Sequence, residues 1–239
     1  MTDLHIDLNC DLGEGCASDA DLMPLITSAN ICCGFHAGDA EKTFEALELA
    51  ALHHVQVGAH PGFPDREEFG RRELHWPPSR IFFECLYQVG ALNALAKAAG
   101  CTVHYLKPHG ALYNMACRDP EIATSIVGAA HSLGLALMGL PGSQMQRAAM
   151  GKASFIAEGF ADRRYRPDGS LTPRSEPEAF VKDPAFAVEQ AQRLIADQGV
   201  RTLCVHGDNP HALAFVAALR ASLSGKGFSI EPFDLDEAE

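Results

Sequence analysis

A chain of 239 residues is long enough to bury a sizeable core, and its 47% hydrophobic and 21% charged content is that of an ordinary globular protein. A formal net charge of −12 without any Lys/Arg-rich stripe argues against phosphate-backbone binding, so no nucleic-acid partner is expected. Met1-Thr2-Asp3-Leu4-His5 lacks the basic and apolar regions of a signal peptide, and the longest apolar stretch, Leu133 to Leu140, is far too short to span a bilayer; the expectation is a cytoplasmic protein with no membrane contact.

The first apolar run, a strand near 4–9, leads into Asp11 and Glu14. A second strand near 27–32 leads into His36 and Asp39, where Asp39 is a plausible N-cap. The helix it opens carries Phe44, Leu47, Ala51 and Leu52 at the spacing of one buried face. A third strand near 55–60 ends on His60 with Asp65 beyond it, and Pro77-Pro78-Ser79 then starts a helix that stops at Gly100. The fourth strand, near 102–108, runs into Lys107, His109 and Asn114. Asp119-Pro120 opens a helix ending near Gly134, followed by strands near 135–140 and 153–158; the latter carries Glu158, with Asp162 and Arg163 after it. Residues 159–183 form the longest irregular stretch, and a loop of that length in a compact domain is more often functional than idle. Asp183-Pro184 opens a helix ending near Gly199; a strand near 202–206 leads into His206, Asp208 and Asn209; Asn209-Pro210 opens the last helix, ending near Gly225. A weaker strand candidate lies near 227–231.

Strict β-then-α alternation demands a parallel sheet with right-handed crossovers. With seven or eight units, closure is favoured over an open sheet, so the expected fold is α/β: one parallel (β/α) barrel domain of about seven strands, spanning residues 1–239. No glycine-rich phosphate fingerprint follows any strand, which argues against Rossmann and P-loop readings.

Period-two alternation places Asp7, Asn9 and Asp11 on one side of their strand; Tyr105, Lys107 and His109 lie together, as do His206 and Asp208. If Leu8, Val57, Leu106 and Val205 face the helices, the polar sets point into the barrel or over its mouth. A lone histidine at a strand end is more often a hydrogen-bonded structural residue than a catalyst. Six polar strand tails in one chain favour the collective reading, an active face at the strands' C-terminal ends. By chemical type, Asp11 and Glu158 are candidate general base and acid, while His36, His60, His109 and His206 suit proton transfer or a divalent metal. Lys107 suits an oxyanion or carboxylate, and Arg163 and Arg174 are placed to close over an anion or to serve as surface charge. None of the eight cysteines form a Cys-x-x-Cys pair, so no structural zinc is expected and no metal-ligand set is assigned.

Asp7-Leu8-Asn9-Cys10-Asp11-Leu12-Gly13-Glu14 resembles the opening motif of the LamB/YcsF family, whose members are the A subunit of prokaryotic 5-oxoprolinase. Further blocks agree in order: Ser28-Ala29-Asn30 through Gly38-Asp39, Gly58-Ala59-His60-Pro61, Lys107 through Asn114, Glu158 with Phe160-Ala161-Asp162-Arg163, and Cys204 through Pro210. Cys16, where an aromatic is expected, and Cys32, where alanine is expected, are departures that leave the polar positions untouched.

The resemblance implies a barrel akin to the glycoside hydrolase and polysaccharide deacetylase barrels. It also implies ATP-dependent opening of 5-oxoproline to L-glutamate, performed with two partner subunits, B and C. On that reading Asp11 or Glu158 is the base, His109 and His206 donate protons, and Lys107 with Arg163 meets a phosphate or carboxylate. Asn9, Asn30, His36, His60, Asp162, Asp208 and Asn209 complete the substrate- and phosphate-binding set. ATP is left to either this mouth or a partner subunit, the second being favoured for catalysis, and a divalent metal is left open. Two alternatives stand beside it: a metal-dependent deacetylase or amidase, and a non-catalytic lactam-binding subunit.

Overall fold

A computed structural model describes residues 4–206 and 212–234. Eight strands form one parallel sheet: β1 (Leu4–Leu12), β2 (Ser28–Cys32), β3 (Gln56–His60), β4 (Val103–Leu106), β5 (Ala136–Gly139), β6 (Phe155–Phe160), β7 (Thr202–Val205) and β8 (Phe228–Ile230). β2 through β7 follow one another around the sheet, and β1 joins β7 to β2, closing a seven-stranded barrel. β8 stands outside that ring, pairing with Leu4–Ile6, the part of β1 that precedes its registers with β2 and β7. The weaker strand candidate of the sequence is therefore a strand, but not a barrel stave.

The helices are α1 (Asp19–Leu22), α2 (Ala40–His53), α3 (Pro78–Ala99), α4 (Gly110–Arg118), α5 (Pro120–Ser132), α6 (Gln144–Ala149), α7 (Pro184–Gln198) and α8 (Ala212–Gly225). Asp39, Asp119 and Asp183 cap α2, α5 and α7 by accepting from backbone N–H groups of the first turn, at 2.9 Å for each best contact. The cap expected at Asn209-Pro210 lies outside the described residues. The short helices α1, α4 and α6 are additions to the sequence reading. α4 is cut from the block of residues read as a strand tail, because Gly110 (φ +52°) turns the chain sharply after β4. A Cβ there would sit 2.7 Å from the Gly70 carbonyl oxygen, so glycine is required.

Register carries the period-two rule around the ring. Asp7 pairs with Thr202 and Thr202 with Glu158; Asp11 pairs with Asn30, Asn30 with Gly58, and Gly58 with Tyr105. Their neighbours Leu8, Val57, Leu106 and Val205 belong to the apolar layer between barrel and helices. Inside the barrel, Tyr105, Ala136, Met138, Ile156 and Phe233 form a separate apolar cluster, with the Tyr105 and Phe233 rings edge to face at 5.3 Å.

Gly58 makes room for Tyr105: a Cβ there would lie 2.1 Å from the ring. Gly58→Ala is expected to lower stability by about 1–3 kcal/mol through overpacking. Gly90→Ala, on the exposed side of α3 with nothing within 4 Å, is expected to raise it by about 0.5–1 kcal/mol. Urea unfolding of the two variants beside wild type reads both signs.

Candidate active site

Polar side chains fill the barrel above its apolar cluster in one connected network. Asp7 accepts from Thr27 Oγ1 at 2.6 Å and Ser28 Oγ at 2.7 Å, and also from Thr202. Asn9 donates to Thr202 Oγ1 at 2.6 Å and accepts from Asn30 Nδ2 at 2.7 Å. Asn30 also donates to Asp11 Oδ1 at 2.8 Å and accepts from the Tyr105 hydroxyl at 2.7 Å. Both asparagine amides are thus oriented by their partners, Asn9 and Asn30 serving as struts between strands.

At the centre is Lys107, carried one residue past β4 by its N–H donating to Ala59 O. Its ammonium lies 2.5 Å from Glu158 Oε1 and 3.1 Å from each of Asp11 Oδ1, Asn9 Oδ1 and Cys204 Sγ. Three N–H groups serve four neighbours, so the lysine is saturated by the protein's own groups. Burial works against its charge, but Asp11, Cys204 and Glu158 overcome that and hold its pKa well above the ordinary lysine value. Asp11 is buried too, yet His60 and Lys107 keep it ionised, well below the usual carboxylate range. Glu158 goes the other way: burial raises its pKa, and Lys107 offsets only part of that. Asp11 is 8% exposed and Glu158 0%, so Asp11 is the carboxylate nearer the mouth.

Beside Asp11 the loops after β1, β2 and β4 bring Glu14, His36 and His109 together with His60, the last residue of β3. His36 Nε2 lies 3.0 Å from Glu14 Oε1, His109 Nδ1 3.4 Å from the same oxygen, and His109 Nδ1 2.9 Å from His60 Nε2. The His36 and His109 rings stack at 3.7 Å. His60 Nε2 also lies 3.3 Å from Asp11 Oδ2. These four residues, and separately Asp11, Cys204 and His206, are groups whose donor atoms are close enough to hold a metal ion.

On the far side, Asp162 receives the His206 backbone N–H at 3.1 Å and faces His206 Nδ1 at 3.0 Å, while the His206 ring stacks on Phe160. Burial would raise the Asp162 pKa, but the His206 contacts lower it. Arg163 donates to Thr172 O at 2.5 Å and Ala179 O at 3.3 Å, tying down the loop between β6 and α7. Those two donor groups are spent on backbone. Asp208 and Asn209 lie outside the described residues.

Sequence reasoning assigned no role to Asp7, Thr202, Cys204 or Glu14. The first three share the inward parity of Asn9, Glu158 and His206, which was the available signal. Glu14 appeared as the tail of the first strand and the last residue of the opening motif, without a role; its aim depends on the Gly13 turn (φ +75°), which no spacing rule gives.

Seven parallel strands with a polar mouth at their C-terminal ends define the class: a (β/α) barrel sharing its fold with carbohydrate esterases and deacetylases. A family 4 carbohydrate esterase from Streptomyces lividans matches at TM-score 0.57 and 10% identity, covering 98% of this chain and 95% of its own. A putative cellobiose-phosphate cleavage protein from Enterococcus faecalis matches at TM-score 0.62 and 10% identity, with 98% of each chain covered. Within that class the chain belongs to the LamB/YcsF family, whose model matches residues 6–237. A lactam utilization protein from Thermus thermophilus is 39% identical, with TM-score 0.88 over 96% of this chain and all of the other. No helix among the described residues is long and apolar enough to cross a membrane.

Two outcomes are expected from this network. Lys107→Met leaves Asp11 and Glu158 without their shared counter-charge and is expected to cost about 3–5 kcal/mol in urea unfolding, partly recovered by adding Glu158→Gln. Asp7 tests the pH dependence: burial, partly offset by Thr202, Thr27 and Ser28, lifts its pKa from 3.8 to about 6. The folded protein then holds this proton more tightly than the unfolded chain, so ionising Asp7 removes stability as pH rises from about 4 to 6, on the order of 3 kcal/mol in all. Asp7→Asn cannot ionise. Its stability relative to wild type should therefore grow across that window and stay constant above it, read by urea unfolding at pH 4, 5, 6 and 7.5.

Proposed function

We propose that this chain opens the lactam ring of 5-oxoproline to L-glutamate, acting as the A subunit of an ATP-dependent 5-oxoprolinase with two partner subunits. Membership of the LamB/YcsF family and the likeness to a lactam utilization protein support the substrate class. The observation that carries the chemistry is the meeting of an ionised Asp11 and an Asp162-held His206 at one barrel mouth.

A lactam carbonyl resists attack because nitrogen donates its lone pair into it. Transfer of a phosphoryl group from ATP to the lactam oxygen, assigned here to the partner subunits, withdraws that density. Water then adds to the ring carbon, with Asp11 orienting it and His206 taking its proton. Asp162 fixes the imidazole so that one face of His206 serves this transfer. Collapse breaks the C–N bond, the electron pair goes to nitrogen, and His206 returns the proton there. The acyl phosphate left behind is hydrolysed by a second water to the glutamate side-chain carboxylate and inorganic phosphate. Lys107 keeps Asp11 ionised throughout, and Glu158 balances Lys107 from the barrel interior.

The test is glutamate release from 5-oxoproline by the reconstituted complex, with and without ATP. Asp11→Asn and His206→Gln should each cut turnover at least about a hundredfold, with complex assembly unchanged on size-exclusion chromatography. Turnover barely altered by both would assign the chemistry to the partners and leave this chain a lactam-binding subunit. Release that needs no ATP and stops with a chelator would favour a metal-dependent amidase instead.

A further inference from the structure

The imidazoles of His60 and His109 have their hydrogens already placed. His60 Nδ1 lies 2.8 Å from the Lys107 carbonyl oxygen, which accepts and cannot donate, so Nδ1 carries the hydrogen. His109 Nε2 lies 2.9 Å from the Phe69 carbonyl oxygen and carries its hydrogen for the same reason. In the neutral imidazoles the two remaining ring nitrogens, His60 Nε2 and His109 Nδ1, carry lone pairs; they face each other at 2.9 Å, and His60 Nε2 also faces Asp11 Oδ2 at 3.3 Å. Glu14 Oε1, 3.4 Å from His109 Nδ1, adds an acceptor to the same point. Acceptors converging in a buried place repel unless a cation lies among them.

We infer that Glu14 Oε1, His60 Nε2 and His109 Nδ1 form a binding site for a divalent transition-metal cation of the zinc class, with His36 Nε2 in reach as a fourth ligand. Metal–nitrogen bonds of about 2.0–2.1 Å in a tetrahedron put neighbouring donors roughly 3.3–3.4 Å apart. The separations here are 2.9, 3.0 and 3.4 Å, and all four donor atoms lie within 4.8 Å of one another. Each of the two key imidazoles donates its other N–H to a backbone carbonyl, the outer contact that orients metal-bound histidines. Three imidazoles and one carboxylate select zinc-class ions over magnesium or calcium, which take oxygen donors.

The scaffold reserves space for this arrangement. A Cβ at Gly62 would sit 2.7 Å from His36 Nδ1 and 3.1 Å from His109 Cβ; at Gly70 (φ +67°) it would meet His36 Cβ at 2.7 Å and His109 Cδ2 at 2.9 Å. A shared proton is the competing occupant of the gap.

The test needs neither lactam, ATP nor partner subunits, so its outcome is separate from that of the proposed function. Chelator-treated chain is titrated with ZnCl2 by calorimetry and with CoCl2 by visible absorption. One equivalent should bind, with tetrahedral cobalt bands and a raised melting temperature. His60→Ala and His109→Ala should weaken zinc binding at least a hundredfold, and the isosteric Glu14→Gln, which leaves the imidazoles in place, at least tenfold. Cys204→Ser, which alters the other candidate donor group, should bind as wild type does. Equal zinc uptake by the His60 and His109 variants, or loss confined to Cys204→Ser, overturns the site. So does absence of zinc binding together with nitrogen-15 shifts showing an imidazolium at His60 or His109, which would put a proton in the gap.

Discussion

An ammonium buried on the axis of a barrel costs several kcal/mol unless opposite charge and hydrogen-bond acceptors surround it. Lys107 meets that condition from three staves besides its own, with Asn9 and Asp11 from β1, Glu158 from β6 and Cys204 from β7. The remaining polar interior follows from it. Asp11 stays ionised because the Lys107 ammonium lies against it, and the Asn30 amide donates to both Asp11 and Asn9. Asp7 and Glu158 lack a comparable share of positive charge, so burial pushes both toward their protonated forms. One cation thereby divides three neighbouring carboxyl groups into an ionised one at the mouth and two more easily protonated ones deeper in.

Much of the barrel was legible because it rests on local rules. Asp-Pro at 119–120 and 183–184 marked helix starts, Gly100 and Gly199 marked stops, and alternation chose the inward residues correctly wherever strand partners obey the same parity. What stayed hidden depends on contacts distant in sequence. α4 was missed because a nine-residue helix starting at a left-handed glycine leaves little periodic signal beside the Lys107-Pro108-His109 block. β8 reads as a strand from its own residues, yet only its pairing with Leu4–Ile6 shows that it lies outside the ring.

The mouth was partly legible in the same sense. Inward parity pointed to Asp11, Lys107 and His206 and the strand tail to Glu158, but neither assigns a charge state, and only the folded surroundings show Asp11 and Glu158 shifted in opposite directions. The cluster of Glu14, His36, His60 and His109 could not be read from spacing, since each residue belongs to a different strand end. Short-range ligand patterns are absent there, and the register of four strands does their work. Arg163, read as an anion ligand, spends donors on the backbone of its own loop, a commitment invisible until that loop's path is known.

Phe233 lies against Tyr105 within the barrel, and β8 pairs with the first described residues of β1. Both ends of the described chain are therefore needed to complete one interior. During synthesis, the early staves must wait for β7 to close the ring and for Phe233 to reach Tyr105 inside it, both far downstream. Such pairing between distant segments slows folding, and the unfinished sheet presents open edges meanwhile. A growing chain of this protein thus carries unpaired strand edges until its distant segments are made.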